Sequence, residues 1–448
     1  MTPPASTIRC SGCGYAARPE DPYPFRCPRA GTDDIDHVMT RVLGPAVTEF
    51  PAGREDNPFV RYRTLMHSYH TAVSRGVSDD AYCGLVTSRD AAVAAIDGHG
   101  FRVTPFQRSA RLSESLGFTE AGGVWVKNET GNVSGSHKGR HLMGVLIHLA
   151  VMEETGLLDR GNRRELAIAS CGNAALAAAV LSRAGGWPLT VFVPTDADAG
   201  VVGRLRGLGA DVVLCPREPG VLGDPAYLRL RDRLAGGAVP FTTQGNENGL
   251  AIEGGETLGY EFSTQLAGLP DGVSDLIIQV GGGALASSVI QALREADRLG
   301  ALSGLPRIHT VQTTSAHPLE RAYRRVRALL PEKSVPGAVR EVMAQAAAHR
   351  SSFMQPWEEQ PKSVATGILD DETYDWRAVV EGMLLTGGCP LVVSEDLLVE
   401  ANETAVGMTG IPVDPTGSSG LAGLLDLRRA GLITALDRVA VLFTGIKR

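Results

Sequence analysis

Lys138 is the residue whose setting in this chain most suggests covalent chemistry. It closes the run Asn132-Val133-Ser134-Gly135-Ser136-His137-Lys138, and a helix is expected to begin beside it. Partial burial and the positive end of a helix both favour the neutral amine, the form that makes an imine with a carbonyl. A lone loop lysine is otherwise a solvated cation. Two further turns carry residue types suited to holding a ligand. Ser170-Cys171-Gly172-Asn173-Ala174 follows an apolar run and opens an Ala-rich segment. Its backbone N–H groups would face an anion, although the same residues would serve as a helix cap. Gly281-Gly282-Gly283-Ala284-Leu285 follows Leu276-Ile277-Ile278-Gln279-Val280. A glycine run between strand and helix can cradle a phosphate with main-chain donors, or be a tight turn and nothing more. It is not a dinucleotide fingerprint, because Ala286 stands at the sixth position from Gly281 and no acid follows at the required distance.

The elements that must position these turns are legible from Thr64 onward. Apolar β-type runs occur at Val124-Trp125-Val126, Leu166–Ala169, Leu189–Val193, Val212–Leu214, Leu276–Val280 and Val439–Phe443. Ala-rich or amphipathic segments such as Ala174–Ala184 and Ala284–Arg298 lie between them. Strand, glycine turn, helix is the rhythm of an α/β protein with parallel sheets. The 448 residues are too many for one simple core and suggest two or three units. The net charge of -7 argues against a nucleic-acid partner. No stretch of about 18 apolar residues predicts a membrane span. Nothing at Met1–Arg9 reads as a signal peptide, and seven dispersed cysteines fit a reducing cytoplasm.

Taken in order, the blocks resemble a known family. Asn132, Gly135, Ser136, Lys138 and Arg140 match the cofactor-lysine motif of pyridoxal-5′-phosphate enzymes of the tryptophan-synthase-β and threonine-synthase type. Ser134 replaces a threonine, and Gly-Ser-His-Lys is similar to the tryptophan synthase β-chain; Val133 and Gly139 depart from the pattern. Val413–Leu424 resembles a further family stretch, and the ending Leu442-Phe443-Thr444-Gly445-Ile446-Lys447 resembles that of threonine synthases. The resemblance implies a fold-type II architecture: two open, twisted parallel-sheet lobes with the cofactor in the cleft. The large domain would hold 46–139 and 251–448, the small one 140–250. It implies Lys138 as Schiff-base lysine and general base. His137, Asn173, Gly281, Gly282, Gly283, Ala284, Leu285 and Thr444 would complete the cofactor contacts. Ser170, Cys171, Gly172, Asn173 and Ala174 would bind the substrate carboxylate. Elimination or β/γ-replacement on an amino acid follows, in a homodimer. The alternatives are threonine synthase acting on O-phosphohomoserine, and a non-catalytic scaffold of the same family.

Residues 251–257 bear on the substrate. Ile252-Glu253-Gly254-Gly255-Glu256-Thr257 resembles a phosphate-binding stretch of threonine synthases, with Ala251 at the arginine position and Glu256 at the lysine position. A carboxylate gained and a guanidinium lost disfavour a phosphate dianion, so a non-phosphorylated substrate is expected. Residues 1–45 resemble a zinc ribbon, with Cys10, Cys13 and Cys27 as candidate ligands. A closed zinc site needs four. The expected fourth cysteine is Ala30, and His37 is the available substitute. The reading adopted from sequence is a degenerate ribbon without metal.

Overall fold

The computed structural model describes residues 5–218, 223–332 and 335–448, so the first four residues of the expected 1–45 segment lie outside it. Its strands are β1 (Ser6–Cys10), β2 (Met39–Leu43), β3 (Phe106–Arg108), β4 (Gly123–Asn128), β5 (Leu166–Ala169), β6 (Leu189–Pro194), β7 (Asp211–Cys215), β8 (Val239–Pro240), β9 (Asp275–Gln279), β10 (Arg307–Thr313), β11 (Pro390–Val393) and β12 (Arg438–Phe443). Every apolar run singled out in the sequence is one of these strands. Helices Asn173–Gly185 and Ala284–Arg298 occupy the two intervening segments. The pattern does not foresee β1, β2, β3, β8, β10 and β11. Five of the seven β10 residues are polar and β11 opens with a proline, a residue that demotes a strand reading. Among the described residues no helix is long and apolar enough to cross a membrane.

Contacts divide the chain into two compact units. The first holds residues 1–28, 38–103 and 132–257; the second holds 29–37, 104–131 and 258–448. Against the expected domain limits, residues 46–103 therefore group with the 140–250 segment. The reason is local packing: helices His67–Ser74 and Asp79–Asp97 lie against Lys138–Glu154.

In the first unit β7-β6-β5-β8 form a parallel sheet, and β1 and β2 pair antiparallel. Helix Lys138–Glu154 is buried on every side from Gly139 to Glu153, the signature of a central helix. Helix Leu250–Ala267 crosses it at backbone contact. A Cβ on Gly144 would lie 2.9 Å from Gly254 N, and one on Gly254 would lie 2.5 Å from the Arg140 carbonyl oxygen.

In the second unit the order is β11-β10-β9-β12-β4-β3, parallel except for β3, which runs antiparallel to β4 at the edge. Leu276, Ile278, Ala440 and Leu442 pack into one apolar cluster, while Ile277, Val439, Val441 and Phe443 pack into another. Both faces of this sheet are covered, which is why β9 and β12 read as unbroken apolar runs rather than alternating ones.

Candidate functional site

In the first unit, Lys138 is the first residue of its helix and half-buried. Its Nζ donates to Thr243 Oγ1 at 3.4 Å. The turn before it is left-handed twice over, at Ser134 (φ 58) and Gly135 (φ 69). Ser134 is the only non-glycine residue with positive φ among those described. Such backbone costs about 1–3 kcal/mol and persists only where its surroundings over-determine it. Here Asp97 Oδ2 accepts the Ser134 N–H at 2.7 Å and Asn132 Oδ1 accepts the Val133 N–H at 2.8 Å. Gly139, a departure from the family pattern, has a local cause: a Cβ there would stand 2.9 Å from the Val133 carbonyl oxygen. The Ser136 hydroxyl is buried with no hydrogen-bond partner in the protein. A buried hydroxyl in that state fits a bound ligand's oxygen. The His137 ring sits edge-on to His141 at 5.6 Å.

Ser170 to Ala174 lie at the carboxyl end of β5, the end at which open α/β sheets take ligands. Gly172 N–H donates to Ser170 Oγ at 3.3 Å, and Cys171 is exposed. Asn173 starts the helix Asn173–Gly185. The cap residue, Gly172, supplies no side-chain bond to the first turn, so this helix end suits a carboxylate. β8 pairs with β5 and leads directly to Thr243, so the Lys138 partner and the loop share one end of one sheet.

Residues 251–257 do something other than what the sequence suggests. Ala251, Ile252, Glu253, Glu256 and Thr257 are all buried. Arg41 pairs with Glu256 and, at 3.3 Å, with Glu253; His141 Nδ1 bonds to Ala251 O at 2.8 Å. Glu256 is therefore no bare carboxylate. A guanidinium shared between two carboxylates nevertheless has no charge to spare for a phosphate. The stretch also braces the helix that starts at Lys138.

In the second unit the glycine turn links β9 to helix Ala284–Arg298, and Gly283 (φ 97) is its cap, again with no side-chain bond. The turn is tight enough to require glycine: a Cβ would meet Ile368 Cα at 2.8 Å from Gly281, the Tyr374 ring at 2.9 Å from Gly282, and Thr373 Cγ2 at 2.8 Å from Gly283. The uncapped helix start offers main-chain donors to an anion, while the 367–375 segment packs against the turn with the Asp370 carboxylate nearest Gly281. Ala284 and Leu285 open that helix, both buried. Thr444 follows β12, the neighbour of β9. It is buried, and its hydroxyl accepts from Gln279 Nε2 at 2.7 Å, an arrangement that directs its own proton elsewhere.

Sequence reasoning missed Thr243, Asp97 and the role of Gln279. Thr243 is 105 positions from Lys138 and leaves no spacing signal. Gln279 did leave one, as the single amide in the run Leu276–Val280. The N-terminal candidates are brought together as well: the Sγ atoms of Cys10, Cys13 and Cys27 lie within 4.8 Å of one another.

A family described as pyridoxal-phosphate dependent enzyme matches residues 99–445. The chain is 26% identical to the threonine synthase of Methanocaldococcus jannaschii over 345 residues, 76% of this chain and 74% of that protein. It is 32% identical to the L-threonine ammonia-lyase of Thermotoga maritima over 194 residues, 43% and 42% of the two chains. Among solved structures, the processed form of threonine deaminase isoform 2 from Solanum lycopersicum superposes with a TM-score of 0.58 at 17% identity, covering 83% of this chain and 91% of that one. At that identity the likeness establishes a shared fold.

Proposed function

The chain belongs to the pyridoxal-phosphate dependent enzymes, and we propose that it catalyses elimination or β/γ-replacement on an amino acid, with Lys138 as the covalent anchor of the cofactor. Pyridoxal phosphate, when bound, supplies an electron sink for bonds breaking at the amino acid's α-carbon. The remaining work falls to the chain. Lys138 Nζ, steered by the Thr243 hydroxyl, serves as the general base that takes the α-proton. Ser170, Cys171, Gly172, Asn173 and Ala174, at an uncapped helix start, hold the substrate carboxylate and fix which α-bond faces that base. Gly281, Gly282, Gly283, Ala284 and Leu285 bind the cofactor phosphate. His137 and Asn173 line the cofactor, and the Thr444 hydroxyl meets its pyridine nitrogen. We place the enzyme in the cytoplasm as a homodimer.

The observation that carries this reading is the setting of Lys138: a half-buried amine at a helix start, behind a strained left-handed turn and beside the buried, unpartnered Ser136 hydroxyl. Lys138→Ala is expected to abolish the visible absorbance of the cofactor-bound protein and its fixation by borohydride. Retained colour, with borohydride fixing the cofactor to another lysine, refutes the assignment.

The substrate is proposed to be non-phosphorylated, because Arg41 is already committed to Glu253 and Glu256 and Ala251 offers no charge. The second reading, a threonine synthase acting on O-phosphohomoserine, draws on the relative in Methanocaldococcus jannaschii. A steady-state panel of serine, threonine, their O-acetyl derivatives and O-phosphohomoserine separates the two. Efficient phosphate release with threonine as product selects the second.

A further inference from the structure

The run that carries Thr243 is braced by the amino-terminal segment, and both lie within the first unit. Thr243 stands in Phe241–Gly249, between β8 and helix Leu250–Ala267. That run is tied down along its length. Phe241 N–H bonds to Ala167 O of β5 at 2.9 Å, and Asn248 Nδ2 bonds to Pro240 O at 2.6 Å. Glu247 and Asn248 send their N–H groups back to Gln244 O at 3.0 and 2.8 Å, closing a turn that begins next to Thr243. At the far end Gly249 N–H bonds to Phe25 O at 2.9 Å, and a Cβ on Gly249 would lie 1.7 Å from Met39 O.

Glu247 puts a buried carboxylate into this turn. Two groups answer it. The Tyr227 hydroxyl donates to Oε1 at 2.8 Å, and Arg26 Nε stands 3.3 Å from Oε2. A carboxylate only accepts, so the Tyr227 proton goes to Glu247 and the phenol oxygen takes Asn246 Nδ2 at 3.2 Å. Tyr227 is itself fixed in the first turn of helix Pro225–Ala235, packed with Ala167 and Ala169 of β5. Burial and the neighbouring Glu247 carboxylate push its phenol well above the ordinary value, so the proton stays on oxygen. A buried charge is tolerated while it is paired; without its cation the carboxylate must take a proton or move toward water. Movement would carry the turn, and Thr243 with it. We propose that Arg26, Tyr227 and Glu247 are positioning residues that set the Thr243 hydroxyl against Lys138 Nζ. This role presupposes Lys138 as the covalent anchor of the cofactor. Anchoring joins Nζ to the cofactor's aldehyde carbon and releases the aldehyde oxygen as water, which requires a neutral and correctly aimed amine. The Thr243 hydroxyl, 3.4 Å from Nζ, does the aiming.

The test uses the full chain, freed of cofactor and then mixed with pyridoxal phosphate while the growth of visible absorbance is timed. Thr243→Val should slow that growth by about tenfold. Arg26→Ala should approach the same loss, and Arg26→Lys should keep most of the rate because it keeps the charge. Glu247→Gln removes the charge but leaves an acceptor for Tyr227, so added to Arg26→Ala it should restore the rate to within about twofold of the unsubstituted chain. On a Thr243→Val background Arg26→Ala should cost nothing more, since residues that act through one group are not additive. Arg229→Ala, which breaks an exposed ion pair with Glu218 on the Tyr227 helix, should change nothing. The positioning role is overturned if Arg26→Ala stays within about twofold of the unsubstituted chain, if its loss persists undiminished on the Thr243→Val background, or if Glu247→Gln brings no relief. Should Glu247→Gln fail to fold, Arg26→Ala still decides, because its side chain is 42% exposed and its removal opens no core. An unsubstituted chain that gains no colour overturns the Lys138 assignment and this role with it, whereas a coloured chain indifferent to Arg26 overturns the positioning alone.

Discussion

At the amino ends of β9 and β10 the charged groups of the second unit satisfy one another, whereas at the carboxyl end of β9 a buried amide oxygen is left without a partner in the protein. Asp275, fully buried at the start of β9, takes hydrogen bonds from His309 Nε2 at 3.0 Å, Arg307 Nη2 at 2.9 Å and Ser274 Oγ at 2.7 Å. At the other end of the same strand, Gln279 Nε2 reaches Gly417 O and Thr444 Oγ1, but its Oε1 is buried without a partner in the protein. The first arrangement closes on itself and holds the sheet. The second leaves one buried acceptor, Gln279 Oε1, open to a water or a ligand. A perturbed ionisable cluster is therefore a poor guide to function here, despite its frequency at active sites. Which end of a parallel strand a group occupies is the better guide.

The largest effect that tests this contrast comes from Asp275→Ala. Removing one member of a buried ionic network leaves its partners uncompensated, at a cost of about 3–5 kcal/mol. Urea unfolding should show that loss, while the protein that remains folded keeps the visible spectrum of its cofactor. An altered spectrum with unchanged stability would break the comparison.

The next effect is in pH and separates the two units. Burial works against a charged His309, but its bonds to Asp275 and Cys389 prevail and raise its pKa to about 9. For Asp275 burial is likewise outweighed, and hydrogen bonds from His309, Arg307 and Ser274 lower its pKa. A base whose folded pKa is raised gives stability that is full below its unfolded value of about 6.5 and lost as pH climbs through about 9. In the first unit the sign reverses. Burial lowers His148 to about 4, and lost hydration with the neighbouring His148 and Arg41 charges lowers His67 to about 3. Each costs nothing above about pH 6.5, where both folded and unfolded forms are neutral, and destabilises progressively as pH falls below it. Unfolding free energy should thus fall on both sides of a maximum near pH 6–7, by up to about 3 kcal/mol on the alkaline limb and by more on the acid limb, where two histidines contribute. His309→Gln should flatten the alkaline limb alone. An alkaline limb that persists in this variant assigns it to other groups.

The same contrast explains what could be read from sequence. The strands β9 and β12, the glycine turn and the setting of Lys138 were legible, because covered parallel sheets and helix-start turns leave short contiguous signals. β10 was not, since Arg307, His309, Thr310, Gln312 and Thr313 make most of it polar. The first four are tolerated only because partners from β9 and from the 383–389 and 318–320 segments meet them. The misreading of Glu256 has the same origin. Its charge is set by Arg41, 215 positions away, and no local pattern announces such a partner. Thr243 was invisible for that reason too.

The smallest effect is expected at the carboxyl end, and it is the sharpest test of the comparison. Gln279 donates to the Thr444 hydroxyl at 2.7 Å. In the proposed site that hydroxyl meets the cofactor's pyridine nitrogen. Gln279→Leu removes a net hydrogen bond worth about 0.5–1.5 kcal/mol and also removes the buried, unpartnered Oε1, whose loss acts in the opposite direction. Stability should therefore change by about 1 kcal/mol or less. The hydroxyl, no longer held, would sample other rotamers, and the absorbance and fluorescence of the bound cofactor should shift. Thr444→Val should produce the same shift at least as strongly, and Thr444→Ser should restore most of the original spectrum because it keeps the donor. If Gln279→Leu and Thr444→Val instead destabilise the fold by several kcal/mol and leave the spectrum untouched, the carboxyl end is a structural network like the amino end, and the cofactor nitrogen is served by another group.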